Sequence, residues 1–361
     1  LGHDAQVKTA NATCMAIATN QPISVPRNDK IVGEQDARAA GRPLADPLAG
    51  FNQEQKLHDI YRYAVVTDAV EGLVMVNVDT LTDGEPRNNF LKRAVLAGGK
   101  TAWNPNGVLN GARHITLAGY MAYVTTPKAV VVISLNTPTA PELKAVLPLN
   151  DARASAVQFR YLWVTTANGL ELFDIADLAR PVYHPEATFE IGNARKFYLA
   201  RTYAYVAAKD EGLVIVDIKK PLAPKLYQRF TAGGTLNDAE DVVVATTNAT
   251  LFAYVADGRN GVKVLQLTSP VSQPNFYGFS PKPMPELISF ARTARPALSV
   301  AKGLDRDRGV DETGGQIAVL GRLGSRPFNR KETEHFFIGE NGQPYRVTDR
   351  VDMAGWSPLR K

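Results

Sequence analysis

One two-part unit recurs along this chain, and it restricts the possible folds more than any other feature. Its clearest copy is Tyr203-Ala204-Tyr205-Val206 followed by Gly212-Leu213-Val214-Ile215-Val216-Asp217-Ile218. The apolar run is set off by the turn-forming residues Ala208, Lys209, Asp210 and Glu211, and Pro221 closes it. A run this short reads as a strand buried on both faces and is too short for a core helix. Anchored on the last valine-like residue of the first strand, the copies fall at Ile17, Val66, Val124, Val164, Val206, Val255 and Val310. Second strands begin five or six residues later, at Pro22, Gly72, Ala129, Gly169, Gly212, Gly261 and Gly315. A tight hairpin imposes that fixed offset. The first and last copies are loose matches, and the middle five are close.

A third element lies upstream of the anchor. Asp4-Ala5-Gln6, Gly111-Ala112-Arg113, Asp151-Ala152-Arg153, Asn193-Ala194-Arg195 and Asp238-Ala239-Glu240 each place a small or polar residue, then alanine, then a polar side chain. Prolines such as Pro181, Pro221 and Pro270 follow the second strands, where a loop must leave a sheet. Each copy therefore holds three or four short strands in up-and-down order. Anchors are spaced by roughly 40 to 58 residues, the period of propeller blades. One blade has two apolar faces and cannot hide them alone, whereas ring stacking buries both. The expected fold is an all-β, seven-bladed β-propeller, with six or eight blades as the alternatives. It is one domain spanning 1–361, closed by its N- and C-terminal segments. Residues 38–51, rich in Ala, Gly and Pro, read as an extended crossing between blades. After Pro281, an Asn341-Gly342 turn between two apolar stretches predicts a hairpin that completes or closes the ring.

The segments GLVIVDI, GLELFDI and GLVMVNV, each after a YAYVAA-like strand and before prolines, resemble the LVIVD-repeat family of bacterial β-propellers. The resemblance covers about residues 55–280 well, with departures at Pro22, Ala129 and Gln266. It implies the propeller fold and an exported or surface-exposed protein, and it carries no shared catalytic motif. The Gly-His and Trp-Asp signatures of WD40 repeats are absent.

Composition narrows the function classes. At 45% hydrophobic and 21% charged residues, the chain can bury a large core. No run approaches the ~18 apolar residues of a membrane-spanning helix, so no membrane span is expected. The start at Leu1 suggests a processed piece of a longer product, compatible with an extracellular, cell-surface or periplasmic location. The single cysteine, Cys14, reads as a small buried hydrophobe and precludes a Cys-x-x-Cys-His haem attachment within the chain. A net charge of +5 without any block of Lys or Arg argues against nucleic acid and leaves room for a basic patch facing an acidic partner.

Innermost blade strands line the axial channel, and the alanine-polar elements are assigned to them. Gln6, Arg113, Arg153, Arg195 and Glu240 then share one height, with Gln55 and Ser299 at the positions that spacing predicts in blades two and seven. Three arginines at one mouth favour an anionic ligand or an acidic partner residue. Their plainer role is to bond carbonyls and water between blades. The Gly- and Asn-rich stretch 88–110 with Trp103 is a candidate partner loop, or a loop that packs over the rim.

Of His3, His58, His114, His184 and His335, none forms a metal-binding pair in sequence, although His58 and His114 could approach each other near the axis. Asp305 to Glu312 echoes a calcium loop without its residue order. Asp174 and Asp217 read as turn caps. No metal, cofactor or catalytic set is assigned. The resulting expectation is a non-enzymatic, exported scaffold that binds a protein partner. One alternative is an accessory propeller of a cell-surface redox assembly, docking onto a haem-bearing multihaem partner. The other is a small-ligand binder or enzyme with its site at the axial opening.

Overall fold

The computed structural model describes residues 6–18, 25–42, 58–81, 90–247, 250–269 and 280–301, together with 322–323 and 326–327. They form five antiparallel blades. The first contains β1 (Ala12–Ile17), β2 (Tyr63–Asp68), β3 (Gly72–Asn77) and β4 (Lys92–Arg93) in that order. The second contains β5 (His114–Ala118), β6 (Met121–Thr125), β7 (Ala129–Ser134) and β8 (Glu142–Pro148). The third contains β9 (Ala154–Gln158), β10 (Tyr161–Thr165), β11 (Gly169–Asp174) and β12 (Val182–Tyr183), with β13 (Phe189–Glu190) also pairing with β11. The fourth contains β14 (Phe197–Ala200), β15 (Tyr203–Ala207), β16 (Leu213–Asp217) and β17 (Lys225–Phe230). The fifth contains β18 (Asp241–Thr247), β19 (Thr250–Ala256), β20 (Val262–Thr268) and β21 (Glu286–Ala291). A short pair, β22 (Arg322–Leu323) and β23 (Arg326–Pro327), lies beyond them.

Side-chain alternation explains why the central strands are apolar throughout. In the fourth blade, Ala204, Val206, Val214 and Val216 face the third, while Tyr205, Leu213 and Ile215 face the fifth. Every position of β15 is therefore buried, and period-two alternation disappears from the sequence. The outermost strands have one neighbour fewer and read as mixed; β8 alternates between exposed and half-buried. The glycine that opens the second strand has a steric cause. Gly212 has φ +72°, and a Cβ there would lie 2.5 Å from the Phe230 carbonyl oxygen. At Gly261, with φ +83°, it would lie 2.2 Å from the Ala291 oxygen.

Among the described residues, five blades replace the expected seven, and neither six nor eight is found. The extra N-terminal copy came from counting one blade twice. The Ile17 run is β1, the innermost strand of the blade that contains Val66, with Ile17 opposite Ala64. The chain leaves this blade after its first strand, forms an inserted helix α1 (Val25–Ala39), and returns. A long insertion adds little closure entropy, so the pairing survives it. Pro26 sits in the first turn of α1, where its missing N–H is not needed, and Arg38 in the last, where it complements the helix dipole. Val25 thus begins a helix rather than ending a strand, and Arg38 and Ala39 end one rather than starting an extended crossing. The Val310 copy, the hairpin around Asn341-Gly342 and the expected closure by the C-terminal segment lie outside the described residues. Neighbouring innermost strands pack in the order β1, β5, β9, β14, β18. No described helix is long and apolar enough to cross a membrane.

Candidate functional site

The alanine-polar elements are turns that lead into innermost strands rather than parts of those strands. Their first residue adopts a left-handed backbone at Gly111 (φ +74°), Asp151 (φ +55°) and Asn193 (φ +58°), which is why Gly, Asp and Asn stand there. The alanines that follow, Ala112, Ala152, Ala194 and Ala239, are fully buried. The next residue donates its amide to the neighbouring strand, as Arg113 does to Thr125, Arg153 to Thr165, Arg195 to Ala207 and Glu240 to Ala256. All of these groups share one end of the blades, here called the arginine end.

The arginine side chains reach from one blade to the next. Arg113 donates to Asp151 Oδ1 (2.5 Å) and to the Ala152 carbonyl (3.3 Å). Arg153 donates through Nε to Asp151 Oδ2 (2.9 Å), and through Nη1 to Asn193 Oδ1 (3.2 Å) and the Ala194 carbonyl (2.6 Å). Asp151 thus bridges two arginines. Burial raises its pKa, but the hydrogen bonds from Arg113 and Arg153 outweigh that and hold it below the usual carboxylate range. In the first blade, Thr13 plays the same part, donating its hydroxyl to the Ala112 carbonyl (2.9 Å).

Arg195 differs from its two counterparts. Its Nε is buried without a hydrogen-bond partner and lies 3.7 Å from Glu240 Oε2. Glu240 instead accepts from Lys209, which also donates to Asp238 Oδ1 (2.7 Å). Asp238 Oδ2 takes the Arg259 amide (2.9 Å). Burial opposes ionisation of Asp238, yet the Arg259 amide and the Lys209 ammonium hold its pKa at about 2. Close by, Lys263 and Asp257 form a fully buried ion pair at 2.7 Å.

The remaining candidates are scattered. Gln6 is exposed and precedes β1 without joining the arginine set; Gln55, His3, His335 and the Asp305 to Glu312 stretch lie outside the described residues. Ser299, assigned by spacing to a seventh blade, lies against the fifth. It donates to Asp241 Oδ2 (2.6 Å) and accepts from Lys196 (2.8 Å). Trp103 exchanges backbone hydrogen bonds with Leu73 (3.0 and 2.8 Å), so its loop is laced onto the first blade, and a Cβ on Gly72 would lie 2.7 Å from its carbonyl oxygen.

His58 and His114 do not meet. His58 caps the 3-10 turn Asp59–Arg62, stacks on Tyr120 and bonds Asn136, at the end of the blades opposite His114. Half-buried His114 lies beside Ser155, and burial and then the Lys196 charge push its pKa down to about 4. Asp174 accepts the Ala176 amide (2.8 Å) and Asp217 the Lys219 amide (2.9 Å), as turn caps do. Among the described residues, no cluster of His, Cys, Asp and Glu could hold a metal. The sequence reading missed Thr13 and the bridging role of Asp151; the left-handed first position of the repeated turn was the signal for the latter.

Comparison with known proteins places the repeat directly. Residues 191–232 match the LVIVD repeat model. No curated protein matches the sequence. Solved structures with some similarity include the β-propeller domain of Myceliophteria thermophila Cps50 (Swd1), at TM-score 0.41 and 9% identity, covering 63% of this chain and 67% of that one. The computationally designed Ika8 protein gives TM-score 0.37 at 9% identity, covering 57% of this chain and only 55% of Ika8. The extracellular domain of BT4673, a putative one component system of B. thetaiotaomicron, gives TM-score 0.39 at 14% identity, covering 58% of this chain and 25% of that one. These scores are too low to carry an argument, and the fold rests on the blades themselves. Residues 191–232, centred on β15 and β16, match the LVIVD repeat, and the same hairpin lies at the heart of every described blade, so the chain is a β-propeller that carries an LVIVD repeat.

Proposed function

We propose that this protein is an exported interaction scaffold, a rigid stack of blades that presents loops to a protein partner. The observation that carries the reading is the cross-blade bonding of the arginine end, where Arg113, Asp151 and Arg153 hold successive blades in register. Such groups are structural, and they leave the loops as the variable surface. Export is supported by the resemblance of the repeats to a family of mostly secreted propellers. Cross-linking in the producing cell, followed by mass spectrometry, tests the reading. A stoichiometric partner cross-linked through blade loops is the expected result, and turnover of a substrate by the purified chain alone overturns it.

A second reading, an anion held at the axial opening, has one supporting observation in the buried Arg195 Nε that lacks a hydrogen-bond partner. Calorimetric titration with inorganic phosphate, before and after Arg195→Gln, tests it; identical heats reject it. Docking onto a haem-bearing partner gains no support from the structure or from the matched repeat.

A further inference from the structure

The opposite end of the blades has a different character. There the tight turns between first and second strands sit beside the loops that leave the third strands, stitched by amide bonds from Leu135 to Tyr120, Ile175 to Arg160 and Ile218 to Thr202. Phe159 stands at the tip of the third blade's turn with φ +55°, and its ring is 82% exposed. The matching position is Gly119 in the second blade and Arg201 in the fourth. A bulky side chain in the left-handed region is strained, and this one gains no burial in return. Strain that the fold does not need is a reason to look for a role outside the fold.

The charge at this end is positive on balance. The loops 175–181 and 218–224 carry Arg180, Lys219 and Lys220, exposed and without an ion-pair partner among the described residues. Asp174 is neutralised by Arg160, while Asp177 and Asp217 keep their charge and accept the Ala179 and Lys219 amides, so the three cations outnumber the unpaired carboxylates by one. Each of these two loops also exposes one apolar side chain, Leu178 and Leu222. The two turns are joined directly by a bond from Gln158 to the Arg201 carbonyl (2.7 Å).

We infer that this end of the third and fourth blades is a docking surface for an acidic, extended segment of a partner protein, with Phe159 as the apolar anchor. The inference deepens the scaffold reading and rests on it. Surplus positive charge calls for an acidic occupant, and an exposed aromatic at the same end of the blades as unpaired cations is the composition of an interface anchor. A membrane surface fits less well, because adsorption to lipid scales with apolar area and each loop offers a single apolar side chain.

The test uses the full chain and a fluorescein-labelled glutamate-rich peptide interrupted by one tryptophan, followed by fluorescence anisotropy. Saturable binding that weakens with salt is expected. Phe159→Gly, and separately Lys219→Glu with Lys220→Glu, should each weaken it about tenfold or more. Phe159→Gly removes the strain along with the ring, so it should melt no lower than the parent, and its loss of binding cannot be loss of fold. Arg113→Gln with Arg153→Gln should leave affinity unchanged in the molecules that remain folded. The inference is overturned if the peptide does not bind, if the Phe159 and lysine variants bind like the parent, or if only phosphatidylserine vesicles bind. A native partner whose cross-links survive Phe159→Gly overturns this docking surface while leaving the scaffold reading intact.

Discussion

Cations stand at both ends of the blades and are used in opposite ways. At the arginine end, Arg113 and Arg153 share Asp151, and Lys209 and the Arg259 amide share Asp238. These charges find partners on the same or a neighbouring turn, with Arg195 Nε the exception, so the end works as a clasp between sheets. At the turn end, the acids are occupied by Arg160 and by backbone amides, leaving Arg180, Lys219 and Lys220 facing solvent beside Phe159. The difference shows that counting arginines in a motif says little about potential. What matters is whether a carboxylate lies within ion-pair reach of the cation.

If the contrast is real, changes at the arginine end cost stability, and changes at the turn end cost only binding. The largest effect should come from Asp257→Ala, which leaves the buried Lys263 ammonium uncompensated. Chemical denaturation should show a loss of about 3–5 kcal/mol.

Next comes acid. The folded pKa of His114 lies near 4, below its unfolded value, so its contribution is complete above about pH 6.5 and fades as pH falls towards 4. Asp238 and Asp151, both depressed, contribute above about pH 4 and fade below it. Melting temperature against pH should therefore drop in two stages, and His114→Gln should flatten the first, worth on the order of 2 kcal/mol.

Asp151→Ala should be milder, about 1–2 kcal/mol, since its partners are partly solvated. Smallest of all, Lys219→Glu with Lys220→Glu should shift stability by no more than about 0.5 kcal/mol, and Phe159→Gly should be neutral or slightly stabilising. A turn-end variant that unfolds the protein as readily as Asp257→Ala would erase the distinction.

Much of the blade was legible beforehand because its grammar is local. A hairpin needs a fixed offset, a strand buried on both faces needs an unbroken apolar run, and Gly212 stands where a Cβ would strike the Phe230 carbonyl. The prediction erred where identity depends on a distant partner. Ala12–Ile17 reads as the first strand of a repeat unit of its own, and only its pairing with Tyr63–Asp68 makes it the innermost strand of that blade. Residues 38–51 look extended by composition, yet Arg38 and Ala39 finish a helix that begins at Val25. Of the two roles the sequence left open for the arginines, Arg113 and Arg153 show the carbonyl bonds between blades, and Asp151 as their shared partner was not legible because it lies across a blade boundary from Arg113.

By itself, the sequence determined the repeating sheet, its turn chemistry and the position of every central hairpin from Val66 to Val255. These depend on contacts a few residues apart. Tertiary structure decided how the strands group into blades, the partner of each charge and the exposure of Phe159 at the turn end, because burial and neutralisation are properties of neighbours that the chain brings together only by folding.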